Sequence, residues 1–288
     1  MRRAVASLPI TPLLFAPPRT AAFAVGTWWR GRRPLEEGEE PVPLTPAMVA
    51  QVALDEAVLA VMRSPRIHPS SADYQLVRSE LEAALAMYEG RGWIAEPRGY
   101  HRDPEPLTDP RITRTWAAGV PHDRLSWPSL YEPYPKEPGR DRWLAFEANR
   151  RARARLIPCP EPDRPWLICI HGFGTGWPMA DFYAFRVRRL ARQLGLNVLL
   201  PVLPLHGARR TGGWGGQELM SVHIQNFVLG MAQSVWDIRR LIGWARRRGA
   251  SQIGLYGMSL GAYVASLVAT IEPDLDLVIA GAPVSDLP

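Results

Sequence analysis

From Pro165 onward, short continuous apolar runs alternate with stretches of helical period, and this alternation limits the fold more than any other feature of the chain. Trp166 to Ile170, Leu196 to Leu200, Gln252 to Tyr256 and Leu277 to Ala280 read as strands. A helix is predicted from about Asp181, with Tyr183, Val187, Leu190 and Leu194 on one face and Gly195 as its stop. A long helix over 221–248 carries Phe227, Met231, Val235, Ile238, Leu241 and Ala245 on one stripe. It ends on Arg246, Arg247 and Arg248, where the helix dipole favours cations. A third helix runs from Leu260 to Ile271. Strands that are apolar on both faces need cover on both, so the pattern predicts an α/β class: a mostly parallel sheet with helices on either side.

Upstream the text divides into three. Residues 1–44 read as a tail ending in an acidic, proline-rich linker (PLEEGEEPVPL). Residues 45–105 read as a helical hairpin. Its first helix is capped by Thr45 with Pro46 at the first position, and its second runs from Ser71 to Gly90 with Tyr74, Val77, Leu81, Leu85 and Tyr88 inward. Residues 106–288 form the core, entered through antiparallel strands of which Ile112 to Trp116 and Arg151 to Ile157 are the best candidates.

Composition removes several function classes. The net charge is +6, yet Lys136 is the sole lysine and the arginines fall in short bursts without interleaved aromatics, so a nucleic-acid partner is not expected. Cys159 and Cys169 are too few for a disulfide framework or a zinc site, which points to a reducing, cytoplasmic setting without a metal or cofactor. No apolar run is long enough to span a bilayer. Residues 21–33 bring Trp28 and Trp29 beside Arg30, Arg32 and Arg33; they read first as a loosely docked tail and second as a peripheral membrane contact.

Gly257-Met258-Ser259-Leu260-Gly261 fits G-x-S-x-G and falls between a predicted strand and a predicted helix. Such a turn holds a serine in strained geometry with its hydroxyl over the sheet edge, and glycines on either side let neighbouring backbone pass. His171-Gly172-Phe173-Gly174 lies where the strand Trp166 to Ile170 ends. Acyl transfer through a serine needs two N–H donors aimed at the oxyanion, one from the residue after the nucleophile and one from this earlier loop; here they are Leu260 and Phe173.

With PWLICIHGFGTG, NVLLPVLPLHG and IGLYGMSLGAY in place, residues 106–288 resemble the serine esterase and lipase-type members of the α/β-hydrolase superfamily. The resemblance implies an α/β-hydrolase fold with an N-terminal helical extension, Ser259 as nucleophile, and hydrolysis of an ester or other acyl bond in a small-molecule or lipid substrate. Nothing in the sequence sorts this from a peptidase, thioesterase or lipid deacylase, and the alternative to an enzyme is a non-catalytic binding or scaffold protein on the same fold. Triad order in this fold is nucleophile, acid, histidine. All six histidines precede Ser259, with His171 expected to orient the oxyanion turn, His206 to be a turn residue at the site's edge and His223 a helix-face or capping residue. The expectation is a fold incomplete at its C-terminal end, lacking the last strands and the histidine loop. Asp286 is the candidate acid; its alternative is a loop residue capping a following helix.

Overall fold

The computed structural model describes residues 16–34, 43–62 and 70–283. The chain divides at Tyr74 into two compact units. In the smaller, α1 (Ala16–Arg30) packs on α2 (Pro46–Met62), and Arg19 reaches Glu56 at 3.4 Å. Thr45 Oγ1 accepts the Met48 N–H at 3.2 Å, the cap expected from the Thr-Pro pair.

The division falls inside α3 (Ser71–Gly90), so most of the expected hairpin's second helix goes with the larger unit. There Glu80 pairs with Arg142 at 2.8 Å, and the Tyr88 hydroxyl donates to Glu137. The inward face of α3 is Val77, Leu81, Ala84 and Tyr88; Tyr74 and Leu85, expected inward, are exposed. Among the described residues no helix is long and apolar enough to cross a membrane.

The larger unit is built on a seven-stranded sheet of β1 (Arg111–Ala117), β2 (Val120–Pro128), β3 (Arg151–Ile157), β4 (Trp166–Ile170), β5 (Asn197–Val202), β6 (Ile253–Met258) and β7 (Leu277–Gly281). The spatial order is β1-β2-β3-β5-β4-β6-β7. The first three strands and β5 pair antiparallel, and β5, β4, β6 and β7 pair parallel. Strand β4 is interior, with Ile168 opposite Leu199 of β5 on one side and Leu255 of β6 on the other.

Alternation along β4 feeds two cores. Ile168 and Ile170 join Leu199, Leu255 and the apolar stripe of α6 (Gln225–Arg247), together with Val264 and Val268 of α7 (Leu260–Ala269). Leu167 and Cys169 point the other way, toward Phe182 of α5 (Pro178–Ala184) and toward Phe185, Val187 and Ala191. Cys169 is therefore a small buried hydrophobe, and burial pushes its thiol pKa up.

Two expectations are corrected here. The helix predicted from Asp181 to Leu194 is not continuous: Arg186 takes a left-handed φ of 49°, ending α5, and the chain resumes as a π-helical turn over Arg189–Gln193. Tyr183 and Leu194 consequently face solvent, while Phe182, Phe185, Val187 and Ala191 are inside. Strand β2 was not anticipated. Prolines at 121 and 128 read as turns, but both lie at its ends, and its buried residues are split between the two faces of the sheet.

Candidate active site

Strand β6 ends at Met258, α7 begins at Leu260, and Ser259 makes the whole of the turn between them with φ 53° and ψ −118°. A non-glycine residue reaches that region only under strain, which the surroundings must hold in place. Two glycines permit it. A Cβ on Gly257 would stand 2.1 Å from Gly261 O, and one on Gly261 would stand 2.0 Å from Ile170 O, so the helix can start this close to β4 and β6 only with glycine at both places. The Ser259 N–H donates to Gly281 O of β7 at 2.8 Å, closing the turn against the neighbouring strand. The residue is exposed, and no hydrogen bond to its Oγ is found among the described residues.

The loop after β4 lies directly on this turn. A Cβ on Gly172 would be 3.3 Å from Met258 O and 3.4 Å from the Ser259 Cβ. His171 holds the loop from beneath: its Nε2 accepts the Leu203 N–H at 3.1 Å, and its Nδ1 donates to Gly172 O at 2.8 Å. That pair of partners requires the neutral Nδ1–H tautomer, and burial pushes the imidazole down to about 4. The far end of the loop is clamped by Asp181, whose Oδ1 accepts the Gly176 N–H at 3.1 Å, and by Arg155, which donates to Gly176 O at 2.8 Å. Burial pushes the Asp181 carboxyl up to about 6, against the opposing pull of Arg155 at 3.3 Å. Neither the Phe173 N–H nor the Leu260 N–H donates a hydrogen bond to any described residue.

His206 lies behind Phe173. Its ring is fully buried, 5.2 Å from His171 and 5.6 Å from Phe173 between centroids. Nδ1 is paired with Pro204 O at 2.8 Å, and Nε2 has no partner. Gly216, with φ 83°, is packed so tightly over Nε2 that an added Cβ would stand 2.5 Å from it. Burial, then the neighbouring His171, push this imidazole down to about 3. It makes no hydrogen bond to Ser259.

Residues 142–280, which hold the Ser259 turn and the loop after β4, match the family model for alpha/beta hydrolase domain containing 18. These residues belong to the α/β-hydrolase superfamily. The fold is that of the superfamily: a mostly parallel sheet, helices on both faces, and a serine at the strand-to-helix turn. Over 272 residues this hydrolase-fold chain is 39% identical to Uncharacterized protein MT2702 of Mycobacterium tuberculosis (strain CDC 1551 / Oshkosh), covering 93% of the chain and 65% of that protein. It thus spans about two thirds of the length of the curated relatives it matches. Among solved structures, a cold-adapted esterase from an Arctic intertidal metagenomic library aligns at TM-score 0.41 and 13% identity, covering 59% of this chain and 64% of that one. Acetyl xylan esterase 1 from Thermoanaerobacterium sp. JW/SL YS485 aligns at TM-score 0.37 and 15% identity, over 66% of this chain and 62% of its own.

Of the residues singled out in the sequence, Gly172, Gly257, Ser259 and Gly261 meet at one point, with Phe173 and Leu260 adjoining it in the chain. Gly174 takes φ 77° in the open part of the loop, with nothing within 4 Å of its Cβ direction. Asp286 lies outside the described residues. The aromatic residues near the loops separate: Trp214 packs edge-on against Phe173 at 5.9 Å, Phe182 is core, and Met179 is on the outer face of α5. Thr175, Asp181 and Arg155, which hold the loop, escaped the sequence reading. A carboxylate five residues after a glycine turn was the one available signal, and it was absorbed into the predicted helix.

Proposed function

We propose that this chain carries the nucleophile half of a serine hydrolase that cleaves an ester or other acyl bond. The observation that carries the reading is the strained Ser259 turn with Gly172 seated on it, because a strand-to-helix turn of this geometry presents a serine hydroxyl over the sheet edge beside the glycine loop. In this reading Ser259 Oγ attacks the acyl carbon and its proton passes to a general base. The tetrahedral oxyanion forms between the free N–H groups of Leu260 and Phe173, with α7's N-terminus adding its dipole. Expulsion of the leaving group gives an acyl-enzyme, which water hydrolyses.

His171 is excluded as the base because both ring nitrogens are engaged. The buried, neutral His206, without a hydrogen bond to the serine, is not poised for that role. The proposal therefore takes the base, and an acid such as Asp286, from sequence after β7, in the superfamily's order. The greater length of the relatives supports this. The wall of Phe173 and Trp214 supports an apolar acyl group in a small molecule or lipid. In the smaller unit, exposed Val25, Trp28 and Trp29, with Arg32 over the Trp28 ring at 3.5 Å, support a peripheral membrane contact for residues 21–33.

A second reading, a non-catalytic scaffold on the same fold, draws on the absence of any hydrogen-bonded base at Ser259 among the described residues. One experiment separates the two: turnover of p-nitrophenyl butyrate by the chain extended to the length of its relatives, with and without Ser259→Ala. The expected loss is on the order of 10³-fold or more. No turnover by the extended chain, or equal turnover by the variant, overturns the catalytic reading.

A further inference from the structure

On the opposite side of the sheet from α6, a cleft of about 640 Å³ opens between α5, the segment after it and the β1–β2 turn. It contains neither Ser259 nor any residue of the loop that faces it. Its floor is apolar and buried, made by Val120, Phe182 and Val187. Its walls include Met179 and Tyr183, which are 76% and 86% exposed. Large apolar side chains held this far into solvent beside a cavity of ligand size mark a binding surface rather than a packing accident.

The cleft is cationic at its rim. Arg186 and Arg189 line it, and neither makes an ion pair with any described residue. Arg188 is different: its guanidinium donates to Ala118 O and Gly119 O and so fastens the β1–β2 turn to the cleft wall. The carboxylate nearest in sequence, Asp181, is buried and already committed to Arg155 and Gly176. The two free guanidinium groups are thus not neutralised locally, and their field is directed over an apolar floor.

The backbone supplies a separate indication. Arg186 is held at φ 49°, where a branched or long side chain is strained, and the chain then makes a π-helical turn at Arg189–Gln193. Both departures fall on the two arginines that rim the cleft, and a continuous α-helix through 186–189 would aim them differently. Arg186 and Arg189 thereby stand on the lining of this cleft and of the neighbouring cavity bounded by Leu190, Leu194 and Tyr256.

We propose that this cleft is a binding site, separate from the Ser259 site, for an amphipathic anion: a carboxylate or phosphate head held by Arg186 and Arg189, with an alkyl chain over Val120, Phe182 and Val187. The shared chemistry has two sources, a free long-chain acid or an anionic lipid in a bilayer, and two arms of one experiment tell them apart. Isothermal titration of the 288-residue chain with laurate, dodecyl phosphate and dodecanol, each below its aggregation concentration, is the first arm. The second is co-sedimentation with phosphatidylcholine vesicles with and without phosphatidylglycerol. Each is repeated on Arg186→Gln/Arg189→Gln, two exposed positions, with circular dichroism to check that the double variant keeps the fold.

The expected result is saturable binding of laurate and dodecyl phosphate, at least tenfold weaker binding of dodecanol, and a loss of about 25-fold in the double variant, some fivefold per guanidinium. Sedimentation only with phosphatidylglycerol vesicles, lost in the double variant, supports the site with the bilayer as its source. Dodecanol binding as tightly as laurate, the double variant binding like the parent, or no binding in either arm overturns it.

Discussion

Gly261→Ala tests the geometry on which the candidate active site rests. The added Cβ would stand 2.0 Å from Ile170 O, 2.6 Å from His171 O and 2.6 Å from Ile170 C. All three are backbone atoms of β4 and the loop after it, so none can rotate away. Since Cβ atoms essentially never approach closer than 3.0 Å, the start of α7 must retreat from β4 by about 1 Å. Val264 and Val268, fully buried one and two turns on, lose their fit as it does. Overpacking of this kind costs about 1 to 3 kcal/mol or more, and the ~1 kcal/mol by which alanine outranks glycine in a helix does not recover it. Gly90→Ala is the control: Gly90 is the last residue of α3, with nothing within 4 Å of its Cβ direction, so the change should be neutral or stabilising by up to ~1 kcal/mol. Equilibrium urea unfolding of both variants reads the difference through the midpoint at constant m-value. Because the same retreat shifts the Leu260 N–H, turnover by the extended chain should fall on the order of 100-fold even where the variant is folded. If Gly261→Ala is as stable as Gly90→Ala, the helix does not start this close to β4 and the oxyanion reading fails with it.

Stability should also depend on pH with a definite sign. His171 and His206 have folded pKa values near 4 and 3, below the ordinary 6.5, so the unfolded chain binds more protons between those values. Their contribution, on the order of 3 to 5 kcal/mol each, is present above pH 6.5 and lost as pH falls toward 4 and below. Asp181, raised to about 6, acts the other way between 6 and 3.8, but it stands against these two and against His101 and His122, which burial also pushes down. Thermal unfolding followed by circular dichroism should therefore show a falling midpoint from pH 7 to pH 4, and a rising one would contradict the neutral assignment of the histidines. The Arg209–Asp237 pair, 2.9 Å apart and buried, makes a further test, because Asp237 also accepts from Ser129 Oγ at 2.7 Å. Asp237→Ala should cost about 3 to 5 kcal/mol in urea unfolding, by leaving the guanidinium unpaired in the interior. A loss under ~1 kcal/mol would mean that the pair is hydrated.

What the sequence revealed and what it hid follow one physical division. The elbow and its glycine loop were legible because their requirements are local: Gly257, Ser259 and Gly261 sit within five residues, and a strand and a helix flank them. Strands β4 to β7 were legible from apolar runs alone. The polar half of α6 was not. Gln233 receives bonds from Trp143 and Asn149 and donates to Ser129 Oγ, pairings that span 84 to 104 residues and leave no local pattern. The break at Arg186 was hidden for the opposite reason, since Tyr183, Val187, Leu190 and Leu194 keep perfect helical spacing while tertiary packing turns the chain at 186. His206 could be placed at the site's edge from sequence, but its burial behind Phe173 depends on Gly216, ten residues on, adopting a left-handed turn over it.

The position of β4 bears on how the chain is made. Until residue 253 is synthesised, the growing sheet is bounded by β4, whose Trp166-Leu167-Ile168-Cys169-Ile170 is buried on both faces in the finished fold. Its partner β5 comes within some thirty residues, but the other edge waits for β6, and 83 residues separate Ile170 from Ile253 (253 − 170). At ~5 to 20 residues per second on the ribosome, that row of unpaired amides and carbonyls stands open for roughly 4 to 17 seconds. A nascent chain with that strand edge exposed for so long is open to aggregation through it, and slowing translation between β5 and β6 should lower the soluble yield of a protein whose finished form is unchanged.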